Sequence, residues 1–315
     1  MKKPKRIILP TILLLLIICG AVWFILRSQT TVPTYPNLCL SGETDTDSEN
    51  VIRAVSLSYF VYGCEGCDTL AGTVSDMLNR HDMGILTENF GIVRTDPENP
   101  DTALFDTSEF IRRAVGDFRY LCSSKEKNGF FGAAFCDDEH RRIWITYSGA
   151  VTLPDVAACA GLVLAPGFTS QEKAAFRLFE AVLQSDEAAN LGYEIYLTGH
   201  SLGGALATMV SLSGGCPAIT VNGADGVALD KMTQLWNGQM PDCRVHNYVT
   251  HPAKGLSFMD MVQRLMFLGG RDGVTTHLFE ENGYTTDTHC AFSFIRFQDE
   301  DFTKPYIPEN EIEKR

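Results

Sequence analysis

Residues 193–207 read YEIYLTGHSLGGALA, and this stretch constrains the fold more than any other. Tyr193 to Thr198 favour a strand, Gly199 stops it, and the small apolar residues from Leu202 onward favour a helix. The corner between them, GHSLG at 199–203, follows the pattern G-x-S-x-G in a strand–turn–helix setting. Glycines at 199 and 203 let strand and helix close around one serine, because no Cβ stands between them. Gly204 and Ala205 keep the helix close to the sheet. Ser201 is therefore expected to project its hydroxyl at the carboxyl end of parallel strands, where α/β folds place their sites. The N–H of Leu202, at the helix start, is placed to bind a developing negative charge. The simpler alternative is a glycine-rich turn in which Ser201 only caps the helix.

The flanking sequence agrees with such a fold. Residues 48–63, SENVIRAVSLSYFVYG, predict a capped helix. DTLAGTVSDMLNRHD and DTSEFIRRAVGDFRYL predict two more. FFGAAFC and RRIWITYS, joined by a DDEH turn, read as a hairpin or two neighbouring strands. SQEKAAFRLFEAVLQ (170–184) is an amphipathic helix. After it the strands YEIYLT, CPAITVN and CRVHNYV alternate with the helical stretches LGGALATMVSLS, VALDKMTQLW and SFMDMVQRLMF. That alternation predicts a mostly parallel central sheet flanked by helices.

The N-terminus is different in kind. MKKPKR precedes residues 7–26, IILPTILLLLIICGAVWFIL, which as a helix would be about 30 Å long, the thickness of a bilayer core. Four cations before the segment and one after it place the body on the extracytoplasmic side of a single-pass membrane protein. A cleaved signal, and hence secretion, is the rival reading. The expected layout is an anchor at 1–27, a polar stalk at 28–48, one α/β domain at 49–298 and a charged tail at 299–315. Outside residues 1–30 the chain holds 39 acidic and 21 basic residues, a net of −18, which argues against nucleic acid as a partner. CEGC at 64–67 has no second CxxC and no histidine pair at zinc spacing, so it reads as a structural bridge or inert thiols rather than a metal site.

YLTGHSLGGALA resembles the class 3, or fungal-lipase-like, family of the α/β-hydrolases. IWITYSGAVTLPD (143–155) is similar to that family's oxyanion strand, with Ser148-Gly149-Ala150 where the family has Arg-Gly-Thr or Arg-Gly-Ser. The resemblance implies an acyl-ester hydrolase of the lipase or phospholipase kind, with lipid as substrate and no cofactor or metal. It also implies Ser201 as nucleophile, with the N–H groups of Leu202 and Ala150 as the oxyanion hole. Ala150 lacks the hydroxyl that Ser or Thr would add. VTLPDVAACAG (151–161) stands where the family carries its lid.

A serine nucleophile needs a histidine base and an orienting carboxylate, which α/β-hydrolases place in the chain order Ser, acid, His. His289 resembles the family's late histidine and is preferred over His277; His246 lies within a predicted strand. The family's Val-Thr-His-x-x-Asp appears here as VTHPAK, with Lys254 at the acid position. Asp225, at the end of the strand after the nucleophile strand, is the first substitute, and Asp260 on a predicted helix is the alternative. The departures at Lys254 and Ala150 keep a second reading open: an impaired hydrolase-shaped scaffold that binds lipid or protein.

Overall fold

The computed structural model describes residues 33, 35, 46–80, 107–150, 165, 167–235, 245–251, 274–280, 295–297 and 305–307. The predicted anchor at 7–26, the lid-like segment, Lys254, Asp260 and His289 lie outside the described residues. Among the described residues, no helix is long and apolar enough to cross a membrane.

Three helices open the domain: α1 (Ser48–Glu65), α2 (Val74–Asn79) and α3 (Thr107–Val115). The side chain of Asp47 caps α1 by accepting from Asn50 N at 2.7 Å, and residues 50–64 are buried except Ile52, which is half-buried. The second predicted helix is shorter than expected. Gly72 adopts φ +80°, and Thr73 then starts α2 with a reciprocal capping box to Asp76. The third also stops early. Gly116 and Asp117 turn the chain, and Arg119 begins a strand that the helical reading had absorbed.

Seven strands form one sheet in sequential order. They are β1 (Arg119–Lys125), β2 (Phe131–Asp137), β3 (Arg142–Tyr147), β4 (Glu194–His200), β5 (Ala218–Val221), β6 (Val245–His251) and β7 (Val274–Glu280). The first three are antiparallel, and β3 to β7 run parallel. Helices α4 (Ser170–Leu183), the short α5 (Asp186–Ala189), α6 (Leu202–Gly214) and α7 (Asp225–Leu235) lie between the parallel strands in sequence. A two-stranded ribbon, β8 (Arg296–Phe297) with β9 (Pro305–Tyr306), follows.

Strand alternation divides the core in two. Trp144, Tyr196, Ile219, Val221 and Tyr248 point to the side covered by α1. Ile143, Ile145, Leu197, Ala218 and Val245 point to the side covered by α4 and α6. Two positions of the expected stalk touch the second side. The Tyr35 hydroxyl donates to Glu180 at 2.9 Å while its ring meets Phe179 edge-on, and Ser213 donates to the Pro33 carbonyl. No disulfide joins Cys64 and Cys67; the Cys67 thiol donates instead to the Gly63 carbonyl at 3.4 Å.

Candidate active site

Ser201 sits between β4 and α6 with φ 57° and ψ −121°. A non-glycine residue at positive φ is strained by about 1–3 kcal/mol and persists only where its surroundings impose it. The surroundings are visible. Ser201 N donates to the Val221 carbonyl at 3.1 Å, and Ala224 N donates to the Ser201 carbonyl at 3.3 Å, so the end of β5 grips both sides of the residue. The Ser201 side chain makes no capping bond to α6, which removes the reading of an ordinary N-cap.

The glycines do what the pattern required. A Cβ on Gly199 would overlap the Gly203 backbone, and one on Gly203 would overlap the Tyr147 carbonyl oxygen. Gly204 lies against Gly223 Cα, at 2.6 Å from where its own Cβ would stand. The helix start is therefore pressed onto the end of β3, where the turn expected to carry the oxyanion hole begins.

That turn, Ser148-Gly149-Ala150, is fixed from three sides. Ser148 N donates to Phe131 O at 3.0 Å. A Cβ on Gly149 would stand 2.7 Å from the His200 carbonyl oxygen and would overlap the Tyr62 hydroxyl. Ala150 and Leu202 are thus carried on segments that touch each other twice, through Gly149 with His200 and through Gly203 with Tyr147. Leu202 is the first residue of its helix, so its N–H has no acceptor within that helix.

Tyr62 was missed in the sequence. Its hydroxyl and His200 Nδ1 share a buried hydrogen bond of 2.9 Å across 138 residues, and the two rings meet edge-on. The bond belongs to a polar stripe on α1. Thr198 donates to Ala54 O at 3.3 Å, and Ser58 Oγ and Thr198 Oγ1 lie 2.9 Å apart. Thr146 donates to Leu57 O at 3.3 Å. Positions 54, 58 and 62 share one helix face by their i, i+4 spacing. The only foretaste in the sequence is the run of Ser and Tyr inside an otherwise apolar helix.

Of the acid–base candidates, Asp225, His246 and His277 lie among the described residues. His277 is on β7 in the row His200–Val221–Tyr248–His277. Three inter-strand spacings separate it from His200, roughly 14 Å. Its Nε2 lies 2.8 Å from His246 Nδ1, and its ring stacks on Tyr248. That distance removes His277 as a base for Ser201.

Asp225 heads α7 and is fully buried. Thr220 Oγ1 donates to its Oδ2, and Gly204 and Gly223 crowd its Oδ1. Oδ1 has no hydrogen-bond partner; the Thr208 hydroxyl nearby eases its charge without meeting bonding geometry. Burial pushes the carboxyl up to about 7. An acid that orients an imidazolium must hold its charge. Asp225 is closed to solvent and directed into the packing between β5 and α6, where burial favours its neutral form.

A cleft of about 230 Å³ is lined by Ile52, Arg53, Phe110, Arg113 and Pro305. It opens beside the first turns of α1, some ten residues, about 15 Å, from Tyr62 and the serine corner.

The family model for lipase (class 3) matches residues 149–213, from the oxyanion turn to the end of α6. Among solved structures the chain is similar to lipase II from Rhizopus niveus, at 15% identity over 65% of this chain and 75% of that one, with a TM-score of 0.37. It is similar to the Rhizomucor miehei lipase propeptide complex at 11% identity over 87% and 81%, with a TM-score of 0.42. It is similar to the mono- and diacylglycerol lipase from Aspergillus oryzae at 12% identity over 66% and 72%, with a TM-score of 0.39. No curated protein matches the chain. The match to the lipase (class 3) family thus covers the turn after β3, the serine corner and α6, the segment in which this chain is similar to that family.

Proposed function

We propose that the protein is a lipase-type carboxylic ester hydrolase whose nucleophile is Ser201. The observation that carries the reading is the strained serine corner. Its hydroxyl makes no capping bond, and the corner is pressed against the oxyanion turn. Ser201 Oγ attacks the acyl carbonyl while His289 takes its proton. The oxygen of the tetrahedral intermediate accepts from the N–H groups of Leu202 and Ala150. His289 then hands the proton to the leaving alcohol, and water, activated by the same imidazole, releases the acid. With Ala150 in place of Ser or Thr, the hole rests on backbone donors. For the orienting acid, the enclosure of Asp225 favours Asp260. The apolar segment 7–26 is read as an anchor that holds the domain on the extracytoplasmic side, which suits a lipid ester substrate.

The test is covalent labelling with a fluorophosphonate, alongside hydrolysis of a soluble p-nitrophenyl ester. Wild type is expected to label, and Ser201→Ala to lose labelling and at least about 10³ of kcat. Folded wild type that neither labels nor turns over would overturn the reading and favour a scaffold. Asp260→Asn is expected to slow turnover far more than Asp225→Asn.

A further inference from the structure

The geometry points to Tyr62 as the positioning residue that sets the spacing of the oxyanion hole. The inference rests on the hydrolase reading above, and concerns how the hole is held rather than which atom attacks.

The two proposed donors belong to separate segments. Leu202 N–H follows the elbow; Ala150 N–H follows the turn after β3. An oxyanion hole works when its donors lie about 2.7–3.1 Å from the developing charge, so the separation of the two segments decides its strength. Here the hole has no side-chain hydroxyl at position 150 to take up an error in that separation. Backbone placement must supply all of it.

The Tyr62 hydroxyl stands where the two segments meet. It shares a hydrogen bond with His200 Nδ1, one residue before the nucleophile, and it lies so close to Gly149 that no Cβ would fit there. One oxygen thus touches both the elbow and the turn. The ring behind it is 4% exposed and packed in the core, so the hydroxyl has a rigid support. The support itself is fixed in rotation about the α1 axis. The Thr198–Ala54 and Ser58–Thr198 bonds hold the same helix face one and two turns below. A helix so pinned delivers Tyr62 to one place. Replacing the hydroxyl by hydrogen leaves the ring in position but removes its bond to His200 and opens a gap beside Gly149.

Four variants test this: Tyr62→Phe, His200→Leu, the double variant, and His200→Asn, whose side-chain amide reaches the position of Nδ1. The readouts are kcat and KM on a soluble ester, the rate of fluorophosphonate labelling, and Tm. Tyr62→Phe is expected to lower kcat and the labelling rate about tenfold with KM within twofold, a loss confined to the transition state. His200→Leu should match it. The double variant should be no worse than either single one, because both remove the same bond. His200→Asn should restore at least half of the rate. A merely structural role would lower Tm and the active fraction while leaving kcat per labelled site unchanged. Should Tyr62→Phe fail to fold, His200→Leu and its rescue by Asn carry the test from the other partner. The proposal is overturned if wild type labels and both single variants keep kcat within twofold, or if the losses multiply in the double variant. Wild type that does not label at all would instead fell the hydrolase reading, and this inference with it.

Discussion

The two faces of the sheet hold the serine corner by opposite means. On the α6 face, side chains are removed. Gly199, Gly203 and Gly204 let α6 lie against β4, the end of β3 and Gly223, and the contact is one of shape. On the α1 face, polar atoms are added. Ser58, Tyr62, Thr146, Thr198 and His200 join helix to strands through directional bonds in an otherwise apolar layer. Close approach fixes distance and leaves rotation open. Hydrogen bonds fix rotation at the cost of burying polar groups that must all stay paired. Ser201 sits where the two kinds of constraint meet.

The comparison breaks most sharply at Gly203. A methyl group there would overlap the Tyr147 carbonyl and press on Ser148, both backbone, so the helix start would have to move as a whole. Gly203→Ala is expected to remove activity by at least about 10²-fold, the scale of losing an oxyanion donor, and to lower Tm by several degrees. Ester hydrolysis and thermal melting check it. Near-normal turnover would mean that the α6 face tolerates the separation that the shape argument forbids.

These two faces were not equally legible in the sequence. The α6 face was, because its parts are neighbours in the chain. Five residues, GHSLG, specify strand, strained corner and helix, and the structure has all three at 194–214. The α1 face was not, because its bonds join residues 89 to 144 apart, and one chain gives no sign of which Ser or Tyr in a helix meets which strand. Local texture also misled at the domain's edges. Arg119 to Leu121 continued a helical pattern and became β1 once Gly116 turned the chain, and Val274 to Glu280 gave no strand reading before pairing with β6. Asp225 shows the limit for a site residue. Its place at a strand end was readable, but its burial under α6 depends on Gly204 and Gly223 together.

The next effect in size also lies on the α6 side. Lys231 on α7 donates to Glu172 on α4 at 2.6 and 2.9 Å, with both side chains buried, and the same carboxylate accepts from Thr169 N to close the α4 capping box. Burial lowers the Lys231 ammonium from its usual range, and Glu172 works against that. Removing one partner leaves a buried charge without its counter-ion. Lys231→Ala should therefore destabilise by about 3–5 kcal/mol. The double change Glu172→Leu with Lys231→Met should recover most of this, and denaturant melts of the three proteins measure it. A shape-built face predicts that recovery; if the double variant is as unstable as the single, the pair is a specific fastening that hydrophobic volume cannot replace.

Asp225 gives a smaller effect with a pH signature. Its carboxyl titrates at 3.8 in an ordinary setting and near 7 in the fold. Between those values the folded chain holds a proton that the unfolded chain has lost, so stability from this group falls as pH rises from about 4 to 7 and is flat above. At about 1.4 kcal/mol for each unit of pKa, the full effect is at most about 4 kcal/mol. Asp225→Asn cannot ionise, so its Tm relative to wild type should rise steadily between pH 4 and 7. Parallel Tm curves would show a carboxyl that ionises normally, and would return Asp225 to contention as the orienting acid.

The smallest effect tests the other face. Ser58 and Thr198 satisfy each other in a layer without solvent, and Thr198 also donates to Ala54 O. Ser58→Ala leaves the Thr198 hydroxyl with its carbonyl acceptor but without its second neighbour, and should cost about 1 kcal/mol. Thr198→Val alone leaves the Ser58 hydroxyl buried and should cost about 1–3 kcal/mol. Changing both to Ala and Val should cost less than the sum, because no orphaned hydroxyl remains. Stability would then be nearly restored while the rotation of α1 is no longer fixed below Tyr62. The double variant should accordingly melt close to wild type and still turn over more slowly. Recovery of both Tm and kcat would show that apolar packing alone orients the helix, and that the directional bonds of this face hold nothing the α6 face does not already fix.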